Sequence, residues 1–255
     1  MGSYLGDSLM RPLWPALAIT ALWCRPSIAA PPENPKRERA DVPPLFAAIP
    51  RLGLVAYGAG DQHLQCSGNC AGFAGTKTPY THDPAFTLGI DALFAPIPQL
   101  RAGVTWQYTL VNEVAIPDRS GFEVGNDWSA DAVVEGFFPF AGRWALAPRL
   151  QGGVIVLEPL GDLQKYISGL RDEFCPILGD GCTIPDGARV GWNLGGGAGV
   201  SFRAHDHVRV RFDATVQYYA FTLYTVSASL LGQHIEAYET LAGARLFLTL
   251  GAELY

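Results

Sequence analysis

The residues able to do chemistry fall into three groups. In the first, arginines and carboxylates recur at alternate positions within otherwise apolar stretches. They are Arg101, Arg149, Arg189, Arg209, Arg211 and Arg245, with Asp91, Asp131, Glu135, Asp213 and Glu239. A guanidinium and a carboxylate pair as matching forks, and a charge removed from water without a partner is prohibitive. These residues therefore predict an ion-pair network filling an interior, or the lining of a narrow polar path. The second group holds the histidines. His205-Asp206-His207 sets two imidazoles at i and i+2, but no third metal ligand lies nearby and a turn accounts for Asp206. Asp61, His63 and Ser67 imitate an acid–base–nucleophile set, yet such residues are ordinary in a polar loop. No catalytic residue and no metal ligand is assigned. The third group is Cys66, Cys70, Cys175 and Cys182. An even set points to disulfides and an oxidising compartment. Each near pair closes a short loop, while the crossed pairings stay open. The spacings lack the knuckles of a thiolate zinc site. Gly195-Gly-Gly-Ala-Gly199 lacks the Gly-Lys-Ser/Thr ending of a phosphate loop and reads as strand glycines facing a crowded interior. No cofactor is expected.

The elements that position these residues alternate with period two. Leu100, Ala102, Val104, Trp106, Tyr108 and Leu110 share one face, and Arg101, Gly103, Thr105, Gln107 and Thr109 the other. The pattern recurs at 86–92, 190–203 and 208–218. It predicts eight strands, at 50–60, 84–94, 99–111, 127–138, 149–157, 188–203, 207–224 and 237–255. Pro148 belongs in the turn before the fifth strand or at its start. Long connections, at 61–83, 112–126, 158–187 and 225–236, alternate with short ones near 95–98, 139–148 and 204–206. Within the third long connection, Asp162–Arg171 has the spacing of a short helix, with Leu163, Tyr166, Ile167 and Leu170 on one side. That connection is the best place for a surface contact.

Alternation does not say which face meets solvent, and a soluble lipocalin-like calyx alternates too. Composition decides. The chain has only three lysines, Lys36, Lys77 and Lys165, so the polar face of Arg, Asp, Gln, Thr and Gly suits a narrow interior better than a wet surface. Aromatic residues gather near strand ends. Tyr108, Trp128, Tyr218, Tyr224 and Tyr238 fall toward the long connections, and Phe138, Phe140, Trp144, Phe202 and Tyr255 toward the short ones, as two interfacial belts require. The last strand, Leu246-Phe-Leu-Thr-Leu-Gly-Ala-Glu-Leu-Tyr255, ends on an aromatic residue. In these features residues 50–255 resemble the small eight-stranded outer-membrane barrels of the OmpA/OmpX/OmpW type. The resemblance implies an all-β fold: a closed, antiparallel, transmembrane eight-stranded barrel with short periplasmic turns and long extracellular loops. It also implies outer-membrane lipids and the barrel assembly machinery, through the C-terminal strand, as partners. Lipid-modifying barrels of this size carry a His-x-Ser pair on a strand or a His, Asp and Ser set near the loops, and no histidine here has Ser two residues on.

The N-terminus reads as targeting. Arg11 precedes an apolar run to Trp23, and small residues follow at Ser27, Ala29 and Ala30. This is a secretory signal over 1–29, too short to span a bilayer as a helix. Asp7 suits a signal's basic start poorly, so Met10 is the expected initiator. Residues 30–48 are a proline-rich, charged, flexible periplasmic tail, and 49–255 form the barrel. A net charge of −6 and a pI near 5.3 argue against nucleic acid. The expected role is non-enzymatic: a structural or surface-interaction protein of a Gram-negative outer membrane, meeting a ligand or protein at its loops. A narrow passive channel for small solutes is the first alternative, and a lipid-modifying barrel enzyme the second.

Overall fold

A computed structural model describes residues 44–255, apart from 59, 68–76, 117–118, 179–181, 183, 186, 231–232 and 255. Side chains at 60–67, 77–82, 111–112, 114–116, 119–120, 174, 178, 228–230 and 233–235 also lie outside the description. In chain order the elements are β1 (Phe46–Tyr57), β2 (Gly60–Ser67), β3 (Lys77–His82), β4 (Ala85–Ile97), β5 (Leu100–Ile116) and β6 (Arg119–Gly136). There follow β7 (Phe138–Ala141), β8 (Trp144–Pro159), α1 (Gly161–Leu178), β9 (Arg189–His205), β10 (Val208–Leu230) and β11 (Gln233–Leu254).

Antiparallel pairing runs β1–β4–β5–β6–β8–β9–β10–β11 and returns from β11 to β1, so eight strands close a ring. Closure matters because a sheet edge in hydrocarbon leaves backbone groups unpaired at several kcal/mol each. Alternation now acquires a direction. On β10, Arg211, Asp213, Thr215 and Gln217 are buried, while Val210, Phe212, Val216 and Tyr218 are exposed. On β4, Phe86, Leu88 and Ile90 are exposed, and Thr87 and Asp91 are buried. Polar side chains fill the interior and apolar ones cover the outside, the reverse of a soluble calyx.

The expected strands are all present, and the structure corrects what joins them. The stretch 61–83 contains β2 and β3, a hairpin that extends the wall between β11 and β5 beyond the ends of β1 and β4. The second and fourth long connections are continuations of β5–β6 and β10–β11, with only 117–118 and 231–232 left between the strands. Paired strands satisfy their own backbone groups once outside the bilayer, so these excursions need no loop. The barrel begins at Phe46, ahead of the expected residue 49. Short turns close the opposite end, at 98–99, 142–143 and 206–207. The end bearing α1 is termed the cap end below, and the other the turn end.

Pro148 lies inside β8 rather than before it. The β6–β8 ladder stops at Glu135↔Arg149, and the β7–β8 ladder starts at Phe138↔Leu146. Pro148 sits in that break, where an imino acid is tolerated in a strand. Tyr224 does not join the lipid-facing belt. A register shift between Thr222 and Tyr224 sets Tyr224 opposite Glu239, on the inner side. The helix expected at Asp162–Arg171 runs on to Leu178. The N-terminal signal, the tail as far as residue 43, Cys70 and Tyr255 lie outside the described residues.

Candidate functional site

The interior is stacked in three layers. At the turn end, Phe137 is fully buried, with the guanidinium carbons of Arg101 and Arg209 at 4.8 and 4.7 Å from its ring centre. Both arginines present charge to the ring face, which favours cations.

Above this floor lies the ionic layer. Arg101 donates to Glu135 through Nε at 2.8 Å and to Glu253 through Nη1 at 2.8 Å. Arg211 donates to the same Glu135 through Nη1 at 2.9 Å and to Asp213 through Nε at 2.7 Å. Gly199 makes room for this pair: a Cβ there would stand 2.1 Å from Asp213 Oδ1. Asp91 takes both Arg51 and Arg149, the latter at 3.0 Å. Arg51 also donates to Thr105 Oγ1 at 2.9 Å. Higher up, Arg245 pairs with Asp127 at 2.6 Å and donates to Gln217 Oε1 at 3.0 Å. Gln217 in turn donates to Asp131 Oδ2 at 2.9 Å, so a neutral amide couples Asp131 to Arg245. Gln151 donates to the same oxygen at 3.2 Å. Buried charges are tolerated when paired and hydrogen-bonded in this way.

The third layer is apolar. Along β10 the inward face changes from Gln217 to Tyr219, Phe221 and Leu223, all buried. They pack with Val124, Ile155, Leu157 and Leu241 from the wall, and with Leu163 and Ile167 of α1 and Ile184 from above. The α1 face that carries Leu163 and Ile167 is one helical turn apart, as i and i+4 require. A void of about 10 Å³ remains between this layer and the Asp127–Arg245 pair, space for about one water. Cys175 and Cys182 form a disulfide and pack against the same cluster. Arg189 fastens the segment below: it donates to the carbonyls of Gly187 at 2.6 Å and Pro185 at 2.7 Å, and to that of Leu223. Tyr166 of α1 packs on Tyr224, their rings 6.4 Å apart. Burial, and then the charge of Glu239, push the Tyr166 hydroxyl above its ordinary range.

All eleven residues singled out from alternation are buried. The structure brings Asp91, Arg101, Glu135, Arg149, Arg211, Asp213 and Arg245 into ion-pair contact. It gives Asp131 amide partners, Glu239 a tyrosine environment at the cap end, Arg209 the face of Phe137, and Arg189 backbone carbonyls. Sequence reasoning missed Arg51, Asp127 and Glu253. Glu253 shares its parity with Thr249 and Arg245, and Asp127 with Ser129 and Asp131, so both were open to detection. Asp61, His63 and Ser67 lie on β2, and their side chains, like Cys66's, are outside the described ones. His205 and His207 stand in an exposed turn with rings 6.2 Å apart. Among the described residues no group of three or more His, Cys, Asp or Glu is arranged to hold a metal ion.

A closed antiparallel ring with apolar side chains outside and paired charges inside defines a transmembrane β-barrel of the outer-membrane class. No protein-family profile matches the sequence, and no curated protein matches it. Among solved structures, OprG from Pseudomonas aeruginosa is similar at 13% identity and a TM-score of 0.42, covering 82% of this chain and 96% of that one. Neisserial surface protein A is similar at 15% identity and a TM-score of 0.35, covering 78% and 95%. Ail of Yersinia pestis is similar at 13% identity and a TM-score of 0.28, covering 78% and 98%. The barrel assignment itself stands on strand closure and outward apolar exposure in this chain.

Proposed function

We propose that this protein is a non-conducting, non-enzymatic barrel of a Gram-negative outer membrane that serves as a scaffold for its capped, surface-exposed end. The observation that carries this reading is the filling of the lumen in series: Phe137 at one end, a paired ionic layer in the middle, and an apolar plug beneath α1 at the other. A permeating solute would have to displace all three. The interior of an eight-stranded barrel has room for little besides its own side chains, which agrees with this reading.

In this reading the turn end faces the periplasm, and so does the proline-rich segment that precedes β1. The signal within residues 1–29, read from Met10 as the initiator, directs export and is removed. The assembly machinery engages the C-terminal strand, and α1 with the extended hairpins meets a surface ligand or protein. The disulfide agrees with an exported chain.

Planar-bilayer recording tests the proposal. The folded protein is expected to stay silent at moderate voltage while showing the heat-dependent gel mobility of a closed barrel. Reproducible single-channel steps from such a preparation would refute it.

A further inference from the structure

Glu239 differs from the other buried carboxylates. Asp91, Asp127, Glu135, Asp213 and Glu253 each hold an arginine, and Asp131 is held by amides. Glu239 is 6% exposed, and its partner is a phenol. The Tyr224 hydroxyl, opposite it on the β10–β11 ladder, is hydrogen-bonded to its carboxyl, and the Tyr166 hydroxyl of α1 to Tyr224. A hydrogen-bonded chain thus runs from a buried acid to the capping helix, where Tyr166 is exposed. The chain lies beyond the lipid-facing belt. Tyr218 and Trp192 stand level with Ala244 and Ala242, and Glu239 is three positions further toward the cap. Among the described side chains no cation stands against Glu239. On α1, Lys165 pairs with Asp162 at 3.6 Å on the outer surface. On β9, Arg189 is held by the carbonyls of Pro185, Gly187 and Leu223. On β2, Leu64 is the residue in register with Glu239, while His63 and Asp61 are in register with Thr240 and Ala242.

We propose that Glu239, Tyr224 and Tyr166 form a proton-controlled latch that seats α1 on the barrel when Glu239 is neutral and loosens it when Glu239 ionises. The proposal rests on the capped-barrel reading above. With α1 seated, water is kept from the carboxyl, and an ionised oxygen there has a hydroxyl chain alone to replace its hydration. A neutral carboxyl donates to Tyr224, and Tyr224 donates onward to Tyr166, so the chain is satisfied without charge. An ionised carboxylate accepts from Tyr224 and gains most when α1 lifts and water enters. Burial accordingly holds the Glu239 carboxyl above the ordinary carboxylate range, against a smaller opposing effect of the Tyr224 hydroxyl. By linkage, the stabilisation of the seated cap is complete below the ordinary glutamate range and is lost as pH rises through the raised value.

The test is hydrogen exchange of the folded full-length protein in detergent micelles from about pH 4 to pH 8, each rate being divided by the intrinsic exchange rate at that pH. Protection across α1 should fall several-fold from the acid to the alkaline end, while protection in β4–β6 stays constant. Glu239→Gln should keep α1 protected and make its protection independent of pH. Tyr224→Phe should move the loss to higher pH, because the carboxylate then lacks its donor; a packing role alone would lower protection equally at every pH. Constant protection of α1 in the wild type overturns the proposal. So does a wild-type profile in Glu239→Gln, an unshifted one in Tyr224→Phe, or a loss shared by β4–β6. Should Glu239→Gln lack the heat-dependent gel mobility of the folded barrel, the Tyr224→Phe profile decides. Conductance steps in planar bilayers would refute the non-conducting reading, a result distinct from these.

Discussion

At the residue scale, Asp91 is the clearest point of tension. It sits fully buried between Arg51 and Arg149, two cations that repel each other without it. Asp91→Asn keeps the shape and removes the charge. Leaving buried cations uncompensated costs about 3–5 kcal/mol, so urea unfolding of the refolded barrel should show a loss of that order. A variant as stable as the wild type would mean that the ionic layer is balanced elsewhere. Most of this layer was legible, because charges on the minority parity of an apolar strand have nowhere to go except inward. Arg51 was not. Its inward companions on β1 include Ala47, Ile49, Val55 and Tyr57, while Leu52 and Leu54 point outward, so apolar residues occupy both parities and mask the alternation. Val55 and Tyr57 face inward because they meet Phe247 and the apolar cap layer.

At the scale of elements, α1 and its disulfide close the cap. Leu163 and Ile167 enter the upper lumen, Ile184 joins them from beyond Cys182, and Arg189 holds the carbonyls of the connecting segment. The Cys175–Cys182 link spans seven residues. Closing a loop of this size in the unfolded chain stabilises by about 2–3 kcal/mol. The paired replacement Cys175→Ser with Cys182→Ser should therefore speed hydrogen exchange across α1 selectively and leave exchange in β4–β6 unchanged. Uniform loosening of the whole barrel would contradict a cap that is stabilised locally. The helix was visible in the spacing of Leu163, Tyr166, Ile167 and Leu170. Its extension was not, since Pro176 in the last stretch argues against helix from sequence alone. The hairpin extensions of β5–β6 and β10–β11 were hidden for a different reason. Beyond the bilayer neither face has to be apolar, so strand continuation leaves no alternation to read. The apolar upper lumen was missed as well: Tyr219, Phe221 and Leu223 share the parity of Arg211 and Gln217, and only the position of α1 explains why that face changes character.

At the scale of the whole molecule, the central claim is that the apolar face meets lipid and the polar face meets itself. The four tryptophans after residue 43, Trp106, Trp128, Trp144 and Trp192, all lie on the outward parity. Trp106, Trp144 and Trp192 are 44%, 44% and 52% exposed. Three of the four belong to paired aromatic clusters: Trp106 with Tyr108, Trp192 with Tyr218, and Trp144 with Phe202. In a calyx of the opposite sense the same residues would line a sealed cavity, out of reach of acyl chains. The direct measurement is intrinsic tryptophan fluorescence of the protein without residues 1–29, folded into bilayers of brominated or ordinary phosphatidylcholine. Strong quenching by the brominated chains is predicted, because most of the emitting rings stand in the lipid. Equal intensity in the two lipids, with the protein folded, would contradict the account and place the apolar face inside.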